Sequence, residues 1–368
     1  MIKTLDRYIL RAFLTNYLIA MGVLIGLYII LDLFVNLDEF TKVRSQTSME
    51  TLTKILDFYG HNLFLYFAQL AGVITLVAGC FTLGRFHRTN ELTAILATGT
   101  SLYRVATPLL LAGLSMNILW FADQELIIPN IAGKLARRHG DIEGRNSFAI
   151  WFLPDPDRKN ALISASMFSP LNKEMRGVVI IQRDKKNRMT DIIRADQGRW
   201  DEERQVWHLV NVSVDHPGVL SPDGIPMESQ RTNAMAYPSN LTPKEMALQQ
   251  ATQWTSFLSL PELNRLQKHF EARGAAEFIK VKHSRLTTFI MNLTLMCLGI
   301  PFFLNRERPS VVIQGGKCLL LCGVCYVFTF FCNTIDLSMF NLSPALPPWI
   351  PVLIFAPIAV LTLDGIKT

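Results

Sequence analysis

Charge is scarce in this chain: Asp, Glu, Lys and Arg make up 18% of its 368 residues, well below the usual quarter of a soluble domain. With 50% apolar residues beside that scarcity, disorder, collagen and disulfide scaffolds are excluded and a membrane protein is favoured. Nucleotide-binding motifs are missing as well. The nearest approach to G-x-x-x-x-G-K-[ST] is Gly316-Lys317, which has Val311 where the upstream glycine belongs and Cys318 where the hydroxyl belongs, so a phosphate has no cradle. HExxH and GxSxG are absent too, which removes the usual zincin and serine-hydrolase signatures. No cysteine falls between 123 and 285, so that stretch folds without disulfides even in an oxidising compartment.

Six runs lack Asp, Glu, Lys and Arg: 12–31, 58–84, 105–122, 286–305, 318–335 and 337–363. Each has about 18 residues or more, enough for a helix across ~30 Å of hydrocarbon. The last is broken by Pro344, Pro347 and Pro348, so its helix is expected to start near Trp349, with Pro351 in the first turn. The first run has no small-residue cleavage pattern after it and reads as a retained anchor. Lys3, Arg7, Arg11, Arg85, Arg88, Arg104, Arg306, Arg308, Lys317 and Lys367 flank the ends on the terminal side, against Lys42, Arg44 and Lys54 in the short loops opposite. Both termini are therefore expected in the cytoplasm. The surplus of 36 Lys and Arg over 30 Asp and Glu sits at membrane ends, which points to lipid and not to nucleic acid.

These runs divide the chain into 1–122 with the first three spans, an extracytoplasmic domain at 123–257, a helical connector at 258–285 and the last three spans at 286–368. The domain reads as all-β, sandwich or jelly roll, with strands at 177–181, 188–195 and 206–215 and turns at 184–187, 201–204 and 222–224. The connector is helical over 258–282, with Ser259 and Pro261 marking its start and Leu263, Leu266 and Phe270 at helical spacing. At the N-terminus Ile2, Leu5, Ile9 and Phe13 share one face. That face suits a helix lying in the cytoplasmic interface before the first span, although basic residues there are also the ordinary topogenic signal.

Three groups of residues are candidates for chemistry. Cys318, Cys322, Cys325 and Cys332 form one stripe of the fifth span; a soft metal could use it, but a small packing face is the simpler reading, and no metal or cofactor is assigned to the chain. Asp32, followed by Asp38 and Glu39, and the cations Lys42, Arg44, Lys280, Lys282 and Arg285 lie near outward-facing span ends. Asp32, Lys42, Arg44, Lys282 and Arg285 are kept as lipid-contact candidates, with ordinary solvated flanks as the alternative. The loop 85–104 is the most specific signal. Thr89 or Asn90 can cap a short helix at about 88–100, Glu91 suits its positive end, Leu92, Ile95 and Leu96 make an apolar face, and Gly99 can end it. Such a helix needs something to pack on, either the lipid interface or a cytoplasmic partner.

The string RTNELTAILATGTS at 88–101 resembles the coupling-helix segment of the LptF/LptG-type permeases of the lipopolysaccharide export ABC transporter. Leu5-Asp-Arg-Tyr-Ile9 is similar to that family's opening, Ala195-Asp-Gln-Gly-Arg-Trp200 and Val206-Trp-His-Leu209 to its soluble-domain strands, and Leu346-Pro-Pro-Trp-Ile-Pro351 to the lead into its last span. The likeness spans essentially the whole chain. It implies six helices in a 3+3 arrangement around a periplasmic jellyroll-like domain, in the bacterial inner membrane. By resemblance, two paralogous permeases pair on a cytoplasmic ATPase dimer that hydrolyses the ATP, and lipopolysaccharide or a related lipid passes to a periplasmic bridge or jellyroll protein. Glu91, with Leu92, Ile95 and Gly99, corresponds to the helix that engages the ATPase. The resemblance departs at the outer end of the first span, where related permeases carry phosphate-binding cations and this chain has Asp32, Asp38 and Glu39 before Lys42 and Arg44. A mechanotransmitting scaffold that moves no lipid and a membrane-embedded hydrolase are the alternatives.

Overall fold

A computed structural model describes the chain outside positions 1–3, 42–47, 136–146, 156–160, 185–187, 218–228, 240, 249–253, 270–271, 305–309, 335–342 and 366–368. Six helices are long and apolar enough to cross a membrane: Thr4–Leu37, Ile55–Arg88, Leu102–Leu135, Ala276–Phe303, Val312–Thr334 and Leu346–Asp364. They belong to α1 (Thr4–Thr41), α2 (Ser48–Arg88), α4 (Leu102–Ala122) with its extension α5 (Ile128–Leu135), α8 (Ala272–Phe303), α9 (Val311–Thr334) and α10 (Leu346–Asp364), while α3 (Glu91–Ala97) fills the loop between the second and third spans. Most exceed the uncharged runs because Lys, Arg and Glu are good helix formers, so a charge ends the apolar run without ending the helix.

Four boundaries differ from expectation. The third span does not stop at 122 but passes through a π turn, Asp123–Ile127, into α5. The connector is two helices: α7 (Leu260–His269) starts where Ser259 predicts, with the Ser259 N–H and Oγ both donating to Glu262 at 2.7 Å, a capping box. The remainder is the first part of α8, and Phe270 lies outside the described residues. The last span starts at Leu346, not Trp349, because Pro347 and Pro348 occupy a first turn whose N–H groups need no helical acceptor. The N-terminal segment is no separate interfacial helix: α1 is continuous from Thr4, and Ile9 and Phe13 are buried in the bundle core with Leu5 packed on it.

The bundle is built around α8. Its apolar window is 56% buried, against 11% for α1 and 22% for α9. Close approach there depends on small residues: a Cβ on Gly72 would strike Asn292 and Tyr326, and one on Gly113 would strike Met296. Polar bonds cross the same seam, from Asn117 Nδ2 to the Phe289 carbonyl at 2.6 Å, Asn292 Nδ2 to Asn117 Oδ1 at 3.2 Å and Trp120 Nε1 to the Ala68 carbonyl at 2.8 Å. Cys318, Cys322, Cys325 and Cys332 are buried, and Cys318 Sγ lies 3.7 Å from the Gly299 carbonyl.

The inserted domain is all-β. Its strands β1 (Phe148–Asp155), β2 (Ala161–Ser169), β3 (Glu174–Arg183), β4 (Met189–Asp201), β5 (Val206–Asp215) and β6 (Gln230–Pro238) form one antiparallel sheet in sequential order. The expected strands coincide with parts of β3 and β4 and with β5, the second starting one residue before β4; the turn at 222–224 and residues 185–187 of the turn at 184–187 lie outside the described residues. The sheet is rolled. Phe168 on β2 and Trp207 on β5 have ring centroids 6.4 Å apart, whereas three strand spacings in a flat sheet measure about 14 Å. At the seam Ser239 Oγ, just past β6, donates to Asp155 Oδ2 at the end of β1 at 2.5 Å. Leu241 and Met246, the latter on α6 (Pro243–Leu248), close the core around Trp207.

Candidate functional site

The terminal-side end of the bundle is organised around α3. Its N-cap position holds Asn90 in the left-handed region, φ 60°, with no side-chain cap hydrogen bond. The expected cap by Thr89 or Asn90 is therefore replaced by a tight backbone turn of the kind Asn tolerates, with the Asn90 N–H donating to the His87 carbonyl at 3.2 Å. Thr89 Oγ1 instead bonds Glu91 Oε1 at 2.8 Å and the Arg85 carbonyl at 2.9 Å. Gly99, φ +79°, sends its N–H to the Leu96 carbonyl at 2.9 Å and ends the helix as its lack of a Cβ permits.

The apolar face of α3 is used within the chain. Leu92 is 1% exposed, and Ile95 and Leu96 pack on the same core cluster. What α3 presents outward is Thr93, Ala94, Ala97, Thr98 and Gly99, a run of small residues. Glu91 is held from both sides, since its Oε2 accepts the Tyr8 hydroxyl at 2.7 Å and Tyr8 stacks on Phe86 at 5.8 Å. Around it Arg104 Nη2 reaches both oxygens of Asp6 at 3.0 and 3.1 Å, Tyr103 donates to the carbonyls of Leu363 and Asp364, and His87 meets the Phe303 carbonyl. The ends of α1, α2, α4, α8 and α10 are thus tied to one another near α3, which itself is bonded to α1 through Glu91 and Tyr8.

The domain-side end has a different character. Asp32 accepts from Tyr59 at 2.9 Å, Tyr66 at 3.4 Å and Asn36 at 3.1 Å, a cluster between α1 and α2. Lys42 and Arg44 lie outside the described residues. Lys282 Nζ donates to Asn264 Oδ1 on α7 at 2.7 Å. Arg285 is 5% exposed; its Nη1 meets Glu125 Oε1 at 2.7 Å, and its Nη2 reaches the carbonyls of Ser256 and Leu258. Glu125 Oε2 also accepts the Leu260 N–H at 2.8 Å. Two of the cations expected to meet lipid are thus engaged by the protein itself.

Tyr8 and Glu125 were not legible as site residues. Tyr8 sits in an ordinary flanking segment, and Glu125 lies past the end of an uncharged run. A signal for Glu125 existed: Ile128, Ala132 and Leu135, all buried, continue the helical period beyond Ala122.

Six apolar spans, with an inserted β domain after the third and the short helix α3 between the second and third, define a multi-pass membrane protein. Over residues 7–364 the chain matches the family model described as Lipopolysaccharide export system permease LptF/LptG, and it belongs to that family. It is a permease component of lipopolysaccharide export. No curated protein matches the chain.

Proposed function

We propose that the chain is the permease subunit of an ABC transporter that extracts lipopolysaccharide or a related glycolipid from the inner membrane and passes it to a periplasmic bridge. ATP is hydrolysed by a separate cytoplasmic ATPase dimer, and this chain binds no cofactor. The observation that carries the reading is α3. A short helix whose apolar side is spent on its own bundle, whose outer face is small and whose Glu91 is braced by Tyr8 suits insertion into a groove of a moving partner. Force applied there reaches α1 through Tyr8 and α2 directly, and from them α4, α8 and α10 through the Arg104–Asp6, His87–Phe303 and Tyr103–Leu363 bonds. In this reading both termini face the cytoplasm and the rolled sheet lies in the periplasm. Its edge offers strand addition to a similar domain, and the little-buried faces of α1 and α9 meet the second permease and the lipid.

The test is Glu91→Lys against Tyr8→Phe, in the complex purified through a tag on this chain. Glu91→Lys reverses the contact charge and is expected to abolish ATP-driven lipid export while the protein still inserts. Tyr8→Phe keeps the carboxylate and is expected to retain export. Unchanged export with Glu91→Lys removes α3 from the coupling role. Mass spectrometry of the same preparation is expected to find an ATPase, a second six-span permease and an acylated glycolipid.

A further inference from the structure

An inserted domain has two chain connections to its bundle, and here the two are bolted to each other. The way in is the π turn Asp123–Ile127 and α5; the way out is the segment from Trp254 to Leu260 that leads into α7 and α8. Glu125 stands in the π turn and holds the first N–H of α7, while Arg285 of α8 holds Glu125 and two carbonyls of the exit segment. Phe257 from the exit packs with Ile128, Ala132 and Leu135 of the entry. A π turn leaves the helix backbone irregular at this point, as functional π turns do.

Directly beneath lies a cavity of about 330 Å³, lined among others by Trp120, Gln124, Ser256, Ser284, Arg285 and Thr288. Protein interiors are normally close-packed and transmit displacement as rigid bodies. A void of this size beside a multiply bonded joint leaves that joint a direction in which to travel.

We propose that the Glu125–Arg285 pair is the positioning joint through which movement of the third and fourth spans is delivered to the β domain as one tilt, and that the cavity is its range of travel. This rests on the transport reading above. Neither residue touches the cargo in this role; they keep entry and exit of the domain in one rigid block.

The experiment uses the complex purified through this chain, reconstituted in vesicles containing lipopolysaccharide, with a photo-crosslinking residue at Leu153 inside the rolled sheet. Three properties are read: ATPase rate, melting temperature and ATP-dependent lipopolysaccharide crosslinking to the sheet. Arg285→Lys keeps the charge for Glu125, but one ammonium cannot replace the guanidinium fork that also reaches Ser256 and Leu258. Thr288→Phe fills the cavity and leaves the pair intact. Both are expected to keep the ATPase rate while crosslinking falls roughly tenfold, within what changes along a coupled network produce; Thr288→Phe also keeps the melting temperature, whereas Arg285→Lys lowers it because two carbonyls lose their donor. A substitution that merely distorts packing lowers the melting temperature, so a crosslinking loss at an unchanged melting temperature in Thr288→Phe is specific to travel. Wild-type crosslinking in both variants, or a parallel loss of ATPase, stability and crosslinking, overturns the joint. A wild-type complex that moves no lipid overturns the transport reading, and the joint with it.

Discussion

The two ends of the bundle are tied in opposite ways. On the terminal side the bonds are single or paired contacts between half-exposed groups, such as Arg104 with Asp6 and Tyr8 with Glu91. On the domain side Arg285 and Glu125 are 5% and 13% exposed and share four hydrogen bonds with each other and with backbone. Water screens the first set, so each tie is weak and exchangeable. The second set is desolvated. It holds only while complete, because removing one member strands a buried charge.

The largest effect expected from this contrast is Glu125→Ala. It leaves the Arg285 guanidinium without its carboxylate and the Leu260 N–H without its acceptor, at a cost of about 3–5 kcal/mol. Thermal unfolding of the purified chain measures it, and a loss below about 1 kcal/mol would place this pair with the surface ties. Arg104→Ala sharpens the other side of the comparison. With Arg104 40% and Asp6 20% exposed, the expected loss is about 0.2–1 kcal/mol and shrinks as salt is raised. A salt-independent loss would mean that the terminal end is as dry as the domain end.

The smallest effect serves as a control that touches neither end. In the β domain the N–H groups of Arg204 and Glu203, with His208, hold the Asp201 carboxyl below its usual range, and Ser229 and Arg194 do the same for Asp215. A lowered folded value means that the stabilisation is present above the unfolded value of about 3.9 and is lost as pH falls through the folded one. Hydrogen exchange corrected for intrinsic rate is expected to show the amides of Glu203 and Arg204 keeping protection down to about pH 3.9 and losing it only below that. The joint and α3 are expected to keep theirs. Equal loss at all three places would show one global acid transition in place of a local one.

Much of this was legible along the chain. The six spans follow from uncharged runs, since a bilayer accepts few charges whatever the fold around them. Ser259 and Gly99 announce helix ends because capping chemistry is local. Val206 to Asp215 alternates because a strand's side chains alternate. The helix α3 was readable from Glu91 to Gly99, but its orientation was not: that Leu92 is buried in the bundle core depends on residues distant in the chain.

The sequence by itself determined the number of spans, the inserted all-β domain and the place of α3, because hydrophobic transfer, backbone periodicity and capping act within a few residues of one another. Tertiary structure alone decided that Glu125 and Arg285, 160 positions apart, form one joint, that Tyr8 braces Glu91 across 83 positions, and that the sheet rolls until Asp155 meets Ser239. Each is a pairing of polar groups far apart in the chain, created by the partner that packing brings to it, which no local pattern encodes.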